Sequence, residues 1–158
     1  MKLNAKSEYA LRAMVDLASR PGEQTTLEEI AERQQIPPAI LPGIVQTLSK
    51  AGLVDTVRGY GGGVRLARPA AQVNARMVLE ALEGPLHLYR CESARGPCDL
   101  GLGRRCPLRA LWDKTQSEML EVWERTTLAD LAAANGSSLQ ERATKGSRRS
   151  RALSSGKA

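Results

Sequence analysis

Residues 26–52 carry the pattern that most constrains the fold. Thr26 stands three positions before Glu29, the capping-box spacing with which many helices begin. A break at residues 36–37 follows, Pro38 suits the first turn of another helix, and apolar residues then recur at helical spacing until Gly52. A short capped helix, a turn and a second amphipathic helix predict a helix-turn-helix.

The next stretch predicts a β-hairpin. Two short β-prone runs, 53–57 and 64–67, flank the segment 58–63, which has four glycines in six residues. Because glycine tolerates positive φ, such a segment is typical of a hairpin tip. A helix-turn-helix followed by a hairpin predicts a winged helix, so we expect a mainly α fold with a small β-hairpin wing.

Helical spacing continues on both sides of this unit. Residues 5–19 form one amphipathic segment, and Asn74 and Gly84 bracket another. Apolar residues from Leu108 onward predict a helix of about 18 residues, and Thr127 is placed to cap a last short helix. One small winged head cannot cover so long an apolar stripe, so it predicts a homodimer seam, with an ordinary core helix as the alternative.

All three cysteines, Cys91, Cys98 and Cys106, lie within sixteen residues that also hold glycines, a proline and arginines. No apolar period runs through this segment, so we expect a loop. Three is an odd number, which argues against a closed disulfide set. The chain shows no signal peptide and no apolar run near the ~18 residues of a membrane span, so we expect a cytoplasmic protein with reduced thiols.

Three thiolates on a glycine-rich loop suit a soft metal or an iron–sulfur cluster and leave one coordination position open. The close cysteine pairs usual in zinc folds are missing. A structural zinc site, and control through thiols or a partner protein without metal, remain alternatives. The sequence shows no nucleophile–base constellation or phosphate loop, so we do not expect an enzyme.

The formal net charge is +6, and residues 137–158 hold six basic residues against one acid. This tail has few apolar residues and should be disordered, either as a solubilising segment or as a non-specific arm for nucleic acid. The predicted organisation is a DNA-binding domain (1–84), a cysteine-rich loop (85–107), a dimerisation helix with a short last helix (108–133) and the basic tail (134–158).

Five motifs occur in an order and spacing that resemble a known family. They are YALRAM at 9–14, IAER at 30–33, KAGLV at 50–54, VRGYGGGV at 57–64, and GPL at 84–86 ahead of the cysteines. Over residues 1–133 the chain resembles the winged-helix iron–sulfur regulators typified by IscR and NsrR. The resemblance implies a homodimer that binds a palindromic operator in double-stranded DNA. It also implies a cluster on the three cysteines, with [4Fe–4S] favoured and [2Fe–2S] as second candidate.

The resemblance leaves the fourth ligand open. In the branch typified by IscR, a histidine follows the last cysteine by three positions, and here that position is Arg109. In the branch typified by NsrR, which responds to nitric oxide, a carboxylate from the partner subunit's first helix completes the site, and the matching residue is Glu8. His87 and an exogenous ligand are the remaining options. The structural alternative for Glu8 is an ion-pair ladder with Arg12 and Asp16, which follow at intervals of four.

The second helix of the predicted motif departs from the family, because Pro42 and Gly43 stand where relatives carry long polar side chains. We expect Pro42 to remove one helical N–H and crowd the carbonyl of Pro38. Gln46 is the best candidate reader, since a carboxamide pairs bidentately with adenine. The other candidate DNA contacts are Ser49, Lys50, Lys6, Thr25 and Arg33, suited to phosphate, and Arg58, Tyr60 and Arg65 on the wing. The expected function is a dimeric repressor that senses redox, nitric oxide or iron status.

Overall fold

The computed structural model describes residues 4–57, 59, 62–88 and 106–134. These residues form six α-helices, one 3-10 turn and one two-stranded hairpin. In chain order the elements are α1 (Ala5–Ala18), α2 (Leu27–Gln34), α3 (Leu41–Lys50), β1 (Val54–Val57), β2 (Gly63–Leu66), a 3-10 turn (Ala70–Gln72), α4 (Ala75–Glu83), α5 (Arg109–Arg125) and α6 (128–134). The predicted fold class, a winged helix with a long further helix, is confirmed.

The predicted capping box begins α2. The Glu29 backbone N–H donates to Thr26 Oγ1 at 3.3 Å, and the Thr26 N–H donates to Glu29 Oε2 at 3.0 Å. The helix ends at Gln35, which adopts the left-handed conformation with φ 52°. This conformation lets the next N–H, from Ile36, donate to the Ala31 carbonyl at 3.0 Å. Ile36 is thereby turned into the core, where it is 2% exposed.

α3 begins at Leu41, not at Pro38, which lies in the preceding turn. Pro42 therefore falls in the first helical turn, where an N–H has no intrahelical acceptor. The predicted helix start at Pro38 is therefore wrong, and the N–H that Pro42 lacks costs the helix no hydrogen bond. Gly52 closes the helix as predicted: its φ is +68°, and the Leu53 N–H donates to the Leu48 carbonyl at 3.0 Å.

The wing is an antiparallel pair in which Val54 lies opposite Leu66 and Val57 opposite Gly63. A third segment joins it at one position: the Val64 N–H donates to the Thr25 carbonyl at 2.8 Å, and the Thr25 N–H donates back at 3.1 Å. Gly63 makes this approach possible, because a Cβ at Gly63 would lie 2.7 Å from the Thr25 carbonyl oxygen. The turn before α2 is thus fixed against the hairpin.

The last helices return to the head. Asn74 caps α4 by accepting from the Met77 N–H at 3.0 Å, and Gly84 ends that helix with φ +75°. Thr127 caps α6, as predicted, and accepts from the Asp130 N–H at 3.1 Å. Next to this cap the Leu128 N–H donates to the Val73 carbonyl at 2.8 Å, and the Leu128 side chain is fully buried. α6 is therefore part of the head's core.

The core is aliphatic, as a chain without phenylalanine requires. α1, α3 and α4 pack around it, and β1 and β2 close one side. Fully buried side chains include Met14, Ile30, Leu41, Ile44, Leu48, Leu53, Val78 and Leu128. Among the described residues, no helix is both long enough and apolar enough to span a membrane.

Candidate nucleic-acid interface and metal-ligating residues

A groove runs between α3 and the hairpin. Its walls come from one side of α3 and from the facing ends of β1 and β2, and Leu27 of α2 also lines it. The α3 residues along it are Pro42, Val45, Gln46, Ser49 and Lys50, and the strand residues are Thr56, Val57, Gly63 and Val64. An exposed helix beside a hairpin is the arrangement with which winged helices enter DNA grooves.

Three of the predicted contacts lie together in this groove. Gln46, Ser49 and Lys50 are spaced i, i+3, i+4 and so share one face of α3. Gln46 and Lys50 are exposed, and Ser49 is half-buried. A carboxamide, a hydroxyl and an ammonium group on one accessible face can contact a base edge and two backbone phosphates.

The other predicted contacts are dispersed. Arg65 lies on β2, is half-exposed, and is 3.5 Å from the Asp55 carboxylate on the facing strand. Lys6 is exposed in the first turn of α1. Arg58 and Tyr60 lie outside the described residues. The contacts of all these residues with DNA stay predictions.

Thr25 and Arg33 are engaged within the protein. The Arg33 guanidinium forks onto the buried Asp16 carboxylate, with Nη2 to Oδ2 at 2.7 Å and Nε to Oδ1 at 3.1 Å. Its Nη2 also donates to Thr25 Oγ1 at 3.2 Å, and Thr25 is 4% exposed. The hydrogen bond from Arg33 to Asp16 raises the pKa of Arg33 above its usual value. This group, which we call the Asp16 clip, joins α1, α2 and the segment that meets the hairpin.

The expected ladder of Glu8, Arg12 and Asp16 is wrong. Arg12 donates to the Gln34 backbone carbonyl at the end of α2 and lies 5.9 Å from the centre of the Tyr9 ring. The Asp16 carboxylate accepts hydrogen bonds from Arg33 and, at 3.1 Å, from Gln34 Nε2. The i,i+4 spacing was the only signal in the sequence, and contacts between helices override it.

The predicted cluster ligands are only partly described. Cys106 is a free, half-buried thiol three residues before α5 begins, whereas Cys91 and Cys98 lie outside the described residues. Glu8 is exposed in the first turn of α1, and its carboxylate meets no partner among the residues described. His87 is exposed. Within 4–57, 59, 62–88 and 106–134, no three histidine, cysteine or acidic side chains form a metal-binding group.

α5 exposes much of its apolar surface. Leu108, just before it, and Leu111, Trp112 and Val122 within it are 54%, 57%, 38% and 62% exposed. Gln116 is the one buried residue of the helix, and its Oε1 accepts from the Leu88 N–H at 2.8 Å. Large exposed apolar side chains on one helix mark an interaction surface.

Comparison with known proteins places this geometry in a family. The chain is 35% identical over 136 residues to the HTH-type transcriptional regulator IscR of Vibrio vulnificus, covering 85% of this chain and 79% of that one. The structure of CymR, the global cysteine regulator of B. subtilis, superposes with a TM-score of 0.72 at 30% identity, over 85% of this chain and 98% of that one. IscR of T. potens gives a TM-score of 0.68 at 31% identity, over 85% and 88% of the two chains.

The pattern of the Rrf2 family, described as iron-dependent transcriptional regulators, matches residues 3–134. The matched stretch contains the helix-turn-helix, the wing, the cysteine segment and the long helix. The predicted resemblance to IscR-type regulators is confirmed, and the chain belongs to the Rrf2 family of winged-helix transcriptional regulators.

Proposed function

We propose that this regulator is a homodimeric repressor of a palindromic operator and senses redox, nitric oxide or iron status through an iron–sulfur cluster. The observation that carries the proposal is the trio Cys91, Cys98 and Cys106, set between the DNA-binding head and a helix with an exposed apolar side. The family description as iron-dependent regulators supports it.

The donor set fits a cluster with one weak ligand. Cys91, Cys98 and Cys106 would supply three thiolates, and Cys106 is a free, half-buried thiol three residues before α5. Glu8 of the second protomer supplies the fourth position, because its carboxylate is exposed and uncommitted among the described residues. Three thiolates and one oxygen favour [4Fe–4S], with [2Fe–2S] as second candidate. A bound cluster would supply a centre that oxidants and nitric oxide attack.

His87 is the second candidate for the fourth position, since it precedes the cysteine segment and is exposed. Arg109 stands where the branch typified by IscR has histidine; its guanidinium carries only donors and lies 3.4 Å from the Asp113 carboxylate. It cannot ligate a metal. An oxygen or nitrogen donor from elsewhere is therefore part of the proposal.

The dimer is proposed from the exposed side of α5. Leu111, Trp112 and Val122 would be covered by the same helix of a second protomer, which is the usual self-complementary arrangement of a two-fold interface. Such a dimer presents two α3 helices to DNA, and half-sites must then be spaced as the two heads are.

Helix α1 gives a physical route from ligand to operator. It carries Glu8 at one end and Asp16 near the other, and Asp16 holds Arg33 of the helix-turn-helix. Arg12 binds the last turn of α2 as well. If Glu8 leaves the cluster held by the second protomer, α1 can shift, and α2 and the hairpin would move with α1 because the Asp16 clip connects them. The distance between the two α3 helices of the proposed dimer would then change.

On the DNA side we propose that Gln46 reads a base edge and that Ser49 and Lys50 hold phosphates beside it. Lys6 would contact the backbone, and Arg58, Tyr60 and Arg65 would act from the wing. Arg33 and Thr25 are the weakest candidates, because their polar atoms are engaged in the Asp16 clip.

The test is purification under strict exclusion of oxygen, followed by visible absorbance and iron and sulfide assays. We expect a coloured protein with iron and sulfide in the wild type and loss of both in Cys106→Ser. Glu8→Ala should keep a cluster but lose much of the difference in operator affinity between cluster-loaded and apo protein. Glu32→Ala, an exposed carboxylate of α2, is the matched control. A colourless, iron-free protein after reconstitution would refute cluster sensing.

Thiol control without metal is the second candidate. It is favoured by the structural likeness to CymR, which is named as a global cysteine regulator, and by the free Cys106 thiol. Structural zinc is the third. Metal analysis separates zinc from iron, and mass spectrometry of the oxidised protein would reveal a disulfide that responds to reductant.

A further inference from the structure

A second concavity lies away from the α3 groove. It is a cavity of about 300 Å³ between the end of α1 and the residues that leave β2. Leu17, Ala18, Arg20 and Glu23 line it from one side, and Arg65 and Arg68 line it from the other. None of its lining residues belongs to the α3 groove. A volume of this size is at the lower end for sites that hold a small molecule.

The charge of this cavity is unbalanced. Its lining residues include three arginines, Arg20, Arg65 and Arg68, and one acid, Glu23. The side chains of Arg20 and Arg68 form no hydrogen bond or ion pair with any residue that the structure describes. Arg65 has only the 3.5 Å approach to Asp55, with both side chains 51% exposed. The hydrogen-bonding capacity of the Arg20 and Arg68 side chains is therefore not used within the described part of the chain, and the Arg68 Nη2 lies beside Gly52 at the end of α3, 3.7 Å from where a Cβ of Gly52 would be.

The floor of the cavity is apolar. Leu17 and Ala18 are 4% and 8% exposed, and Pro21 and Pro69 stiffen the two segments that form the rim. An apolar floor under a cationic rim suits a ligand with a small organic part and an anionic group. Guanidinium binds phosphate oxygens bidentately, which favours phosphate over a single-point anion.

We infer that this cavity binds the phosphate group of a small phosphate monoester. A monoester carries close to two negative charges at neutral pH, which matches the excess of the rim, three cations against one anion. Binding would draw Arg20, which follows α1, towards Arg65 and Arg68 beside the wing. Since β2 lines both concavities, with Val64 in the groove and Arg65 in the cavity, the ligand would restrict the strand that faces DNA.

The test uses phenyl phosphate as the probe, titrated into the full-length apo protein by calorimetry, with phenol as the uncharged control. We expect saturable binding of phenyl phosphate and none of phenol. Arg20→Gln and Arg68→Gln should each weaken binding about tenfold, the factor for losing one charge-assisted contact. Arg125→Gln, which lies outside the cavity, should bind like the wild type. Thermal unfolding should be unchanged in all three variants.

The phosphate groups of the DNA backbone are the other possible ligand of these arginines, and a second experiment distinguishes them from a free phosphate monoester. The slope of operator affinity against salt should be the same for wild type, Arg20→Gln and Arg68→Gln. If phenyl phosphate does not bind and both variants lower the slope by about one, the free ligand is refuted and the arginines contact DNA. Binding of phenyl phosphate that both variants leave unchanged would also refute the inference. Because the titration uses apo protein, its outcome is independent of cluster sensing.

Discussion

Removing the Asp16 carboxylate should destabilise the head more than any other single acidic substitution among the described residues. In Asp16→Ala, Arg33 loses three contacts of 2.7–3.2 Å and Gln34 loses one of 3.1 Å. Breaking a fully buried pair costs about 3–5 kcal/mol. The Asp16 side chain is 5% exposed but that of Arg33 is 28% exposed, so water can resolvate the arginine in part.

We therefore expect a loss of about 2–3 kcal/mol in the free energy of unfolding. For a folded unit of this size that corresponds to a fall in Tm of roughly 6–12 °C. The measurement is urea denaturation of the apo protein followed by circular dichroism. Glu32→Ala removes an exposed carboxylate from α2 and should stay within about 0.5 kcal/mol of the wild type.

A double-mutant cycle with Arg33→Ala tests the reasoning directly. If the carboxylate acts through the guanidinium, the two substitutions should show a coupling energy of at least about 1 kcal/mol. Additive losses, or an Asp16→Ala variant as stable as Glu32→Ala, would refute the assignment of this pair as the clip between α1 and α2.

Three further predictions concern local geometry. Gln35→Gly should stabilise the protein by up to about 1 kcal/mol in the urea assay, because glycine adopts the left-handed conformation at φ 52° without strain. Glu32→Gly, which places glycine inside α2, should destabilise the protein by a similar amount in the same assay. Gly63→Ala should lower the free energy of unfolding by about 1–3 kcal/mol, because the new Cβ would lie 2.7 Å from the Thr25 carbonyl oxygen. Gly43→Ala should not destabilise the protein, because a Cβ at that position meets nothing within 4 Å. Equal losses of stability in the two variants, measured by thermal unfolding, would contradict this prediction. Hydrogen bonds from Thr127 lower the pKa of Asp130. The stability that this carboxylate contributes is therefore present above its unfolded pKa of about 3.9 and is lost as the pH falls through the lower pKa of the folded state. The difference in Tm between wild type and Asp130→Asn should narrow below about pH 4, and a Tm difference that does not change with pH would contradict this reasoning.

The helix boundaries were largely predictable because their signals are local. Thr26 with Glu29, Asn74, and the glycines at 52 and 84 act within one helical turn, and each lies where the sequence pattern placed it. The start of α3 was misplaced by three residues, because Pro38 and Pro42 are both suited to a first turn. Which of them is used depends on how Leu41 reaches the core.

The partner of Asp16 could not be predicted in the same way. Arg33 is 17 residues away, whereas the i,i+4 spacing favours Arg12, which is four residues away. The choice is made by the packing of α1 against α2, which also buries the carboxylate. A candidate phosphate contact on sequence grounds, Arg33 is engaged in an internal ion pair once the chain is folded.

The ligand set is predicted from the sequence by number and chemistry, not by position. The three cysteines within sixteen residues are proposed donors, and of the four favoured ligands only Cys106 and Glu8 lie among the described residues. In the proposed homodimer, the distance from these residues to the second protomer would depend on how the two chains pack, which the residue spacing within one chain does not determine.

α5 contacts the rest of the protein at Gln116, which accepts from the Leu88 N–H, and near its C-terminal end, where Arg76 lies 3.0 Å from Glu124 and buried Leu128 follows. Seventeen helical residues span about 25 Å. Cys106 lies three residues before the other end of this helix, so the helix connects the thiol to the head. A tilt of only about 5° over that length corresponds to a displacement of roughly 2 Å at the cysteine end, so a small change of position at Cys106 would need only a slight reorientation of the helix at the head.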